Sequence, residues 1–215
     1  GANDVIDGTV TLTLTAYPID PCSDEATDDA TFSIQLLPVA DAGADVTICE
    51  TGTYELDGSA ENACGTLWSG GDGSFDDATS LTATYTPGPN DLAAGMVTLT
   101  LTAEACAPCD EDDTDDVIIY FQVAPESYAG EDATLCEDNI FLNDATVANN
   151  VSILWTTSGD GTFSDPAILT PQYFPGDDDK TDGQVTLTIT ATPILPCDVA
   201  AKDDIVVTIE LNPVV

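Results

Sequence analysis

Nine residues recur three times along this chain and constrain its architecture more than any other feature. Residues 95–103 read GMVTLTLTA, residues 8–16 read GTVTLTLTA and residues 183–191 read GQVTLTITA, offset by 95 − 8 = 87 and 183 − 95 = 88 positions. In each copy threonine alternates with an apolar residue, the period-2 signature of a half-buried strand. Val97, Leu99 and Leu101 share one face and the threonines the other. A tandem repeat near 88 residues is too long for a solenoid unit and suits a string of small domains, each with its own core.

The 215 residues accommodate two full repeats and part of a third. Gly1-Ala2-Asn3-Asp4 aligns with Gly88-Pro89-Asn90-Asp91, which predicts that the chain opens in mid-repeat, as a segment of a longer protein. The expected domains are therefore a partial repeat at 1–40 and complete repeats at 41–127 and 128–215. In 1–40 the pattern predicts strands at 10–17 and 30–39, separated by an acidic turn. In the first complete repeat it predicts strands at 46–49, 53–57, 65–69, 81–86, 96–103 and 117–123, divided by Gly, Asp, Asn and Pro clusters, with no helix. The second complete repeat matches almost strand for strand: Cys136 with Cys49, Trp155 with Trp68, Asp160 with Asp72, Tyr173 with Tyr85. Six or seven short strands per repeat, with one Trp in an early strand, is the pattern of an all-β, immunoglobulin-like sandwich, and the joins between repeats contain no flexible spacer.

Residues 42–60 (AGADVTICETGTYELDGSA), Trp68 followed by Gly71-Asp72-Gly73, residues 82–88 (TATYTPG) and the VTLTLTA strand together resemble the polycystic-kidney-disease-type (PKD) domain. They resemble still more closely the tandem repeats of giant cell-surface adhesins of Bacteroidota, including those of gliding motility. The second repeat departs from the PKD spacing by one residue, because Thr156-Thr157-Ser158 separate Trp155 from Gly159-Asp160-Gly161. The resemblance implies a linear array of immunoglobulin-like sandwiches serving as an extracellular stalk.

Forty Asp and Glu face only Lys180 and Lys202, with no Arg or His. Nothing here could neutralise phosphates, so nucleic acid and anionic lipid are excluded as electrostatic partners. The patterned apolar content argues against a disordered acidic tail, and no run of 18 or more apolar residues suggests membrane insertion. The absence of histidine removes Ser-His-Asp and Cys-His catalysis, and no phosphate-binding glycine loop leads into a helix. Carboxylate pairs of glycosidase type would arise by chance among so many acids. An enzyme is not expected. A carbohydrate- or protein-binding accessory module is the alternative to a stalk, with Trp68 and Trp155 expected in the core rather than as sugar platforms. Asn150-Val151-Ser152 is a glycosylation sequon.

Self-repulsion of this size favours counter-ions, and calcium is the expected cofactor. Candidate ligands are Glu50, Asp72 and Asp91, placed at one end of a repeat; Asp198, at the facing end of the next; and Asp112, Asp113, Asp160, Asp177 and Asp179, in or near the acidic runs. The alternative is a solvated acidic surface. The EF-hand pattern is absent, since Thr188 stands where its twelfth-position Glu belongs.

Seven cysteines at repeat-related positions argue for an oxidising setting, extracellular, cell-surface or secreted. Cys22, Cys109 and Cys197 share one repeat position and Cys49 and Cys136 another, while Cys64 and Cys106 are unmatched and pair naturally with each other. In an immunoglobulin-like topology Cys49 and Cys109 fall at opposite ends of a strand of roughly 27 Å, well beyond the ~5.5 Å Cα separation of a disulfide. That favours a Cys49–Cys197 bond between repeats, with Cys136, Cys22 and Cys109 left for neighbouring repeats of the same longer chain. The alternative pairs Cys49 with Cys109 and Cys136 with Cys197. Cys106-Ala107-Pro108-Cys109 could also form a redox or half-zinc pair, although no helix start lowers a thiol pKa there. Filament self-assembly and an unidentified surface receptor or glycan complete the expected partners.

Overall fold

The computed structural model describes residues 4–5, 8–137, 141–142 and 144–212. Gly1, Ala2 and Asn3, on which the mid-repeat alignment rests, lie outside the described residues. Two compact units are present: Gly1–Val46 with Thr53–Ile119, and Thr47–Gly52 with Tyr120–Val215. The protein is all-β, built of β-sandwich domains.

The first strands are β1 (Thr9–Ala16) and β2 (Ala26–Ser33), an antiparallel hairpin running from Thr9↔Ser33 to Ala16↔Ala26. The strand expected at 30–39 instead ends at Ser33, and Val39–Asp41 forms a separate β3. Next come β4 (Val46–Cys49), β5 (Tyr54–Glu55), β6 (Ser59–Glu61), β7 (Gly65–Ser69), β8 (Ser74–Phe75), β9 (Thr84–Thr86), helix α1 (Pro89–Ala94), β10 (Met96–Glu104) and β11 (Asp113–Gln122). Their sheets run β4-β11-β10-β7, β5-β9-β8 and β3-β6.

The later strands repeat that order as β12 (Glu126–Tyr128), β13 (Ala133–Cys136), β14 (Phe141–Leu142), β15 (Thr146–Ala148), β16 (Asn150–Thr157), β17 (Thr162–Phe163), β18 (Gln172–Phe174), helix α2 (Asp177–Asp182), β19 (Gln184–Pro193) and β20 (Ala201–Glu210). Sheets β13-β20-β19-β16, β14-β18-β17 and β12-β15 mirror the first set. β13 runs parallel to β20, which is how the first strand of a repeat comes to lie beside its last.

Strict alternation in the repeated strand becomes alternation of burial on β10 and β19. Val185, Leu187, Ile189 and Ala191 on β19 and Ile205, Val207 and Ile209 on β20 point inward. They meet Ala129, Ala145, Trp155 and Tyr173 in one core. The matching residues Val97, Leu99, Leu101, Ala103, Val117, Ile119, Trp68 and Tyr85 are buried as well. Trp68 faces Leu101 across β7–β10, and Trp155 faces Ile189 across β16–β19, so both tryptophans are core residues. Full burial of each large apolar side chain contributes about 1.5–3 kcal/mol.

The helices correct the expectation of a purely strand-and-turn repeat. Each has six residues, too few for a periodic apolar signal. Gly88 precedes Pro89 at the first helical position with Asp91 in the first turn, and Gly95 closes the helix at φ 76°. Gly176, an acidic first turn and Gly183 at φ 71° do the same for α2. Proline is preset for the first turn of α1, and in both helices a glycine in the left-handed conformation closes the end.

Candidate functional site

Two kinds of chemistry-bearing residue recur: acids that bind the backbone, and cysteines in the turns. The acids are organised around a buried carboxylate. Asp179, on α2, is 2% exposed, and its Oδ2 accepts hydrogen bonds from Tyr173 Oη at 2.6 Å and the Gly176 N–H at 3.0 Å. Its Oδ1 accepts from the Asp160 N–H at 3.3 Å, and Asp160 in turn accepts the N–H groups of Asp178 and Asp179, each at 3.2 Å. Asp91, Tyr85, Gly88, Asp72 and Asn90 repeat the arrangement, with Tyr85 Oη donating to Asp91 at 2.5 Å. The Gly-Asp-Gly segment is shaped by this network. A Cβ on Gly73 or Gly161 would overlap the hydroxyl of Tyr85 or Tyr173.

Electrostatics follow from the geometry. Burial, reinforced by the Asp91 carboxylate, pushes the Tyr85 phenol well above its ordinary range, and burial with Asp179 does the same to Tyr173. For Asp72, partial burial would raise the carboxyl, but the N–H donors of Asn90 and Asp91 outweigh it and hold it below the usual value. The Asp178 N–H, opposed by partial burial and aided by the Asp179 N–H, lowers Asp160.

Other repeated acids hold neighbouring strands. Asp45 accepts the Ile118 N–H and Asp132 the Val206 N–H, both at 2.9 Å. Asp115 accepts from Ala42 at 2.8 Å and Asp203 from Ala129 at 2.7 Å. Glu50 accepts from Ala124 at 3.0 Å and Glu137 from Asn212 at 3.1 Å. Each of these bonds ties a residue flanking a short strand to β11, β20 or the segment that follows it.

Of the nine expected calcium ligands, the structure joins Asp72 with Asp91 and Asp160 with Asp179. Glu50, Asp72, Asp91, Asp160 and Asp179 accept the hydrogen bonds just described. Asp112 accepts the Ala105 N–H at 2.8 Å and Asp113 the Ala40 N–H at 2.9 Å. Asp177 lies in the first turn of α2, and Asp198 lines a cavity beside Cys197. Among the described residues no three acidic or thiol side chains converge as a metal would need. A carboxylate aimed at backbone N–H groups presents its lone pairs to donors, and the set present does not fit calcium.

The cysteines do converge. Cys49, at the end of β4, is bonded to Cys197, with a Cα separation of 4.7 Å and a sequence separation of 148. Cys64 is bonded to Cys106 at a Cα separation of 5.1 Å. Cys22, Cys109 and Cys136 are free thiols, so the alternative pairs Cys49–Cys109 and Cys136–Cys197 are not formed. With Cys106 committed to Cys64, the Cys106/Cys109 pair is not a redox or zinc motif. The Cys49–Cys197 bond lies inside the second compact unit, because Thr47–Gly52 belongs to it. It closes over a cavity lined by Thr51, Ala124, Pro125 and Asp198. One carbonyl lies beside the bond: the N–H of Glu50, the residue after Cys49, donates to Gln122 O at 3.0 Å, and Cys197 Sγ lies 3.3 Å from the same oxygen. The equivalent thiol, Cys109, lies 3.6 Å from Gln35 O. The sequon falls on β16, where Ser152 Oγ donates to Thr192 Oγ1 at 3.0 Å.

No family model matches the chain, and no curated protein matches it. Solved structures do. A crystal structure of protocadherin gamma C5 EC1-3 is similar with a TM-score of 0.54 at 15% identity, over 97% of this chain and 80% of that one. Mouse clustered PcdhgC3 EC1-3 scores 0.48 at 14% identity, over 94% and 77% of the two chains. Drosophila N-cadherin EC1-4 scores 0.48 at 13% identity, over 86% and 52%. The first likeness concerns the fold alone, and it is with ectodomain repeats of the immunoglobulin-like β-sandwich type.

Proposed function

We propose that the chain is a load-bearing segment of a secreted, repetitive cell-surface adhesin of the Bacteroidota gliding type, a stalk that holds a binding element away from the cell. The observation that carries this reading is the Cys49–Cys197 disulfide. Tension applied before residue 49 and after residue 197 crosses one covalent bond, and the 148-residue span between them is shielded from force. Within that span Cys64–Cys106 closes a second loop. Tandem repeats, the acidic surface and a framework without histidine or arginine also suit a solvated extracellular rod. The receptor contacted by the assembled protein is a surface or glycan outside this segment. The mechanical role needs no metal.

Single-molecule stretching from the two termini tests the reading. Under oxidising conditions the residues between Cys49 and Cys197 contribute no extension. With reductant they release about 500 Å of contour, at roughly 3.5 Å per residue. Equal contour lengths in both conditions would refute the stalk.

A further inference from the structure

Among the described residues, nothing covers the inward-facing residues of the β1–β2 hairpin. Leu12, Leu14 and Phe32 are 58%, 74% and 52% exposed, whereas their counterparts Leu187, Ile189 and Val207 are at most 1% exposed. The register is the same in both places: Thr9↔Ser33 through Ala16↔Ala26 corresponds to Gln184↔Thr208 through Ala191↔Ala201, each shifted by 175. What covers β19 and β20 is known residue by residue. Every other buried member of that core, Ala129, Ala145, Trp155 and Tyr173, comes from the front half of the repeat, residues 128–175.

Cys109 makes the same demand from a second direction. In the closed copy, β4 lies beside β11 and the residue after it, Glu50, donates to Gln122 O, bringing Cys49 to Cys197. Gln35 stands 87 positions before Gln122, and Cys109 sits against its carbonyl as Cys197 sits against that of Gln122. A cavity lined by Leu37, Pro38, Glu111, Asp112 and Asp113 corresponds to the one closed by Cys49 and Thr51. Among the described residues, Cys109 and the Gln35 carbonyl form one half of such a clasp.

The geometry points to one docking site made of both features: the apolar face of the Thr9–Ser33 hairpin and the Cys109 thiol together receive the front half of a further repeat, of the type of residues 128–175. Its Trp and Tyr cover Leu12, Leu14 and Phe32. Its first strand adds in parallel beside β2, as β13 does beside β20, and its strand-end cysteine reaches Cys109. The two thiols lose two protons and two electrons to an external low-molecular-weight disulfide, which leaves as two thiols, and an Sγ–Sγ bond forms. Cys22 is not the target. It lies in the hairpin's own turn, at the far end of β1 and β2 from Gln35. The inference deepens the stalk reading by naming the partner that continues it.

The test extends the whole chain rather than dissecting it. Residues 128–175 are placed ahead of Gly1, in frame with the 175-residue offset, which adds one cysteine. The chain has three free cysteines, so four thiols precede bonding and two, Cys22 and Cys136, remain after it. The expected result, after oxidation with glutathione disulfide, is two titratable thiols, a mapped peptide joining the added cysteine to Cys109, and slowed amide exchange across residues 9–33. Four remaining thiols, or a bond to the more exposed Cys22, would overturn the clasp. A version whose added cysteine is serine isolates the apolar contact: exchange in the hairpin still slows while Cys109 stays reactive. Unchanged hairpin exchange there overturns the docking surface. A reversible dimer of the unextended chain, buried through the hairpin, would assign the face to a second copy and equally overturn it. None of these outcomes touches the Cys49–Cys197 bond, so the stretching experiment stands or falls separately.

Discussion

One leucine position, sampled three times, separates residue type from environment. Leu12 is 58% exposed, Leu99 is 0% and Leu187 is 1%. Truncation to alanine at Leu99 or Leu187 removes a filled core position and should cost about 2–5 kcal/mol, while Leu12→Ala should change stability by less than about 0.5 kcal/mol. Urea melts of the three variants decide this, and a cost at Leu12 equal to that at Leu99 would mean that the hairpin face is covered. The ionisable residues make a second prediction. Asp72 and Asp160 are depressed in the folded state, so the stability they contribute is present above the ordinary carboxylate value of 3.8 and is lost as pH falls through their folded values. Tyr85 and Tyr173 are raised, so theirs is present below the ordinary phenol value of 10.0 and is lost as pH climbs above it. The melting temperature should therefore hold a plateau between about pH 4 and pH 10 and fall on both sides. A decline beginning near neutrality would show that these networks do not dominate.

At the scale of the element, the Gly-Asp-Gly turn, the short helix and the following strand act as one unit. A Cβ on Gly161 would lie 2.6 Å from the Phe174 carbonyl and collide with the Tyr173 hydroxyl, displacing it from Asp179. Gly161→Ala should cost roughly 1–3 kcal/mol and advance the alkaline fall in melting temperature, because the phenol loses its buried partner. A melting curve and alkaline limb like those of the parent would show that the turn yields freely. The repeated strand and the two tryptophans were legible in the sequence, because period-2 alternation over eight residues has no competing reading. The helices were not, since six residues hold less than two turns and their glycine caps read as loop. The roles of the acids were half legible. Asp45, Glu50, Asp72, Asp91 and Asp115 recur as Asp132, Glu137, Asp160, Asp179 and Asp203, and these recurring acids accept backbone N–H groups. Asp112 and Asp113 give way to Ala200 and Ala201 in the next copy. Recurrence at the repeat offset was the signal for the shared bonds, whereas Asp112 and Asp113 accept the N–H groups of Ala105 and Ala40 in one copy alone.

For the whole molecule, a formal charge of −38 raises one question that the residue networks leave open: how the repulsion is tolerated. Two answers make different predictions. A specific calcium site would stabilise the fold by mass action at low cation concentration, whereas a solvated acidic surface responds only to screening, as the Debye length shrinks from ~8 Å at 0.15 M to ~3 Å at 1 M salt. The repeated acids already face backbone N–H groups, and no set of three converges among the described residues, which is the arrangement the second answer requires. The melting temperature should rise steadily with sodium chloride. Millimolar calcium at matched ionic strength should add nothing, and a chelator should take nothing away. A rise of several degrees with calcium alone, reversed by the chelator, would mean that carboxylates now bound to backbone N–H groups swing round a metal, and the proposed stalk would then be held by calcium as well as by its disulfides.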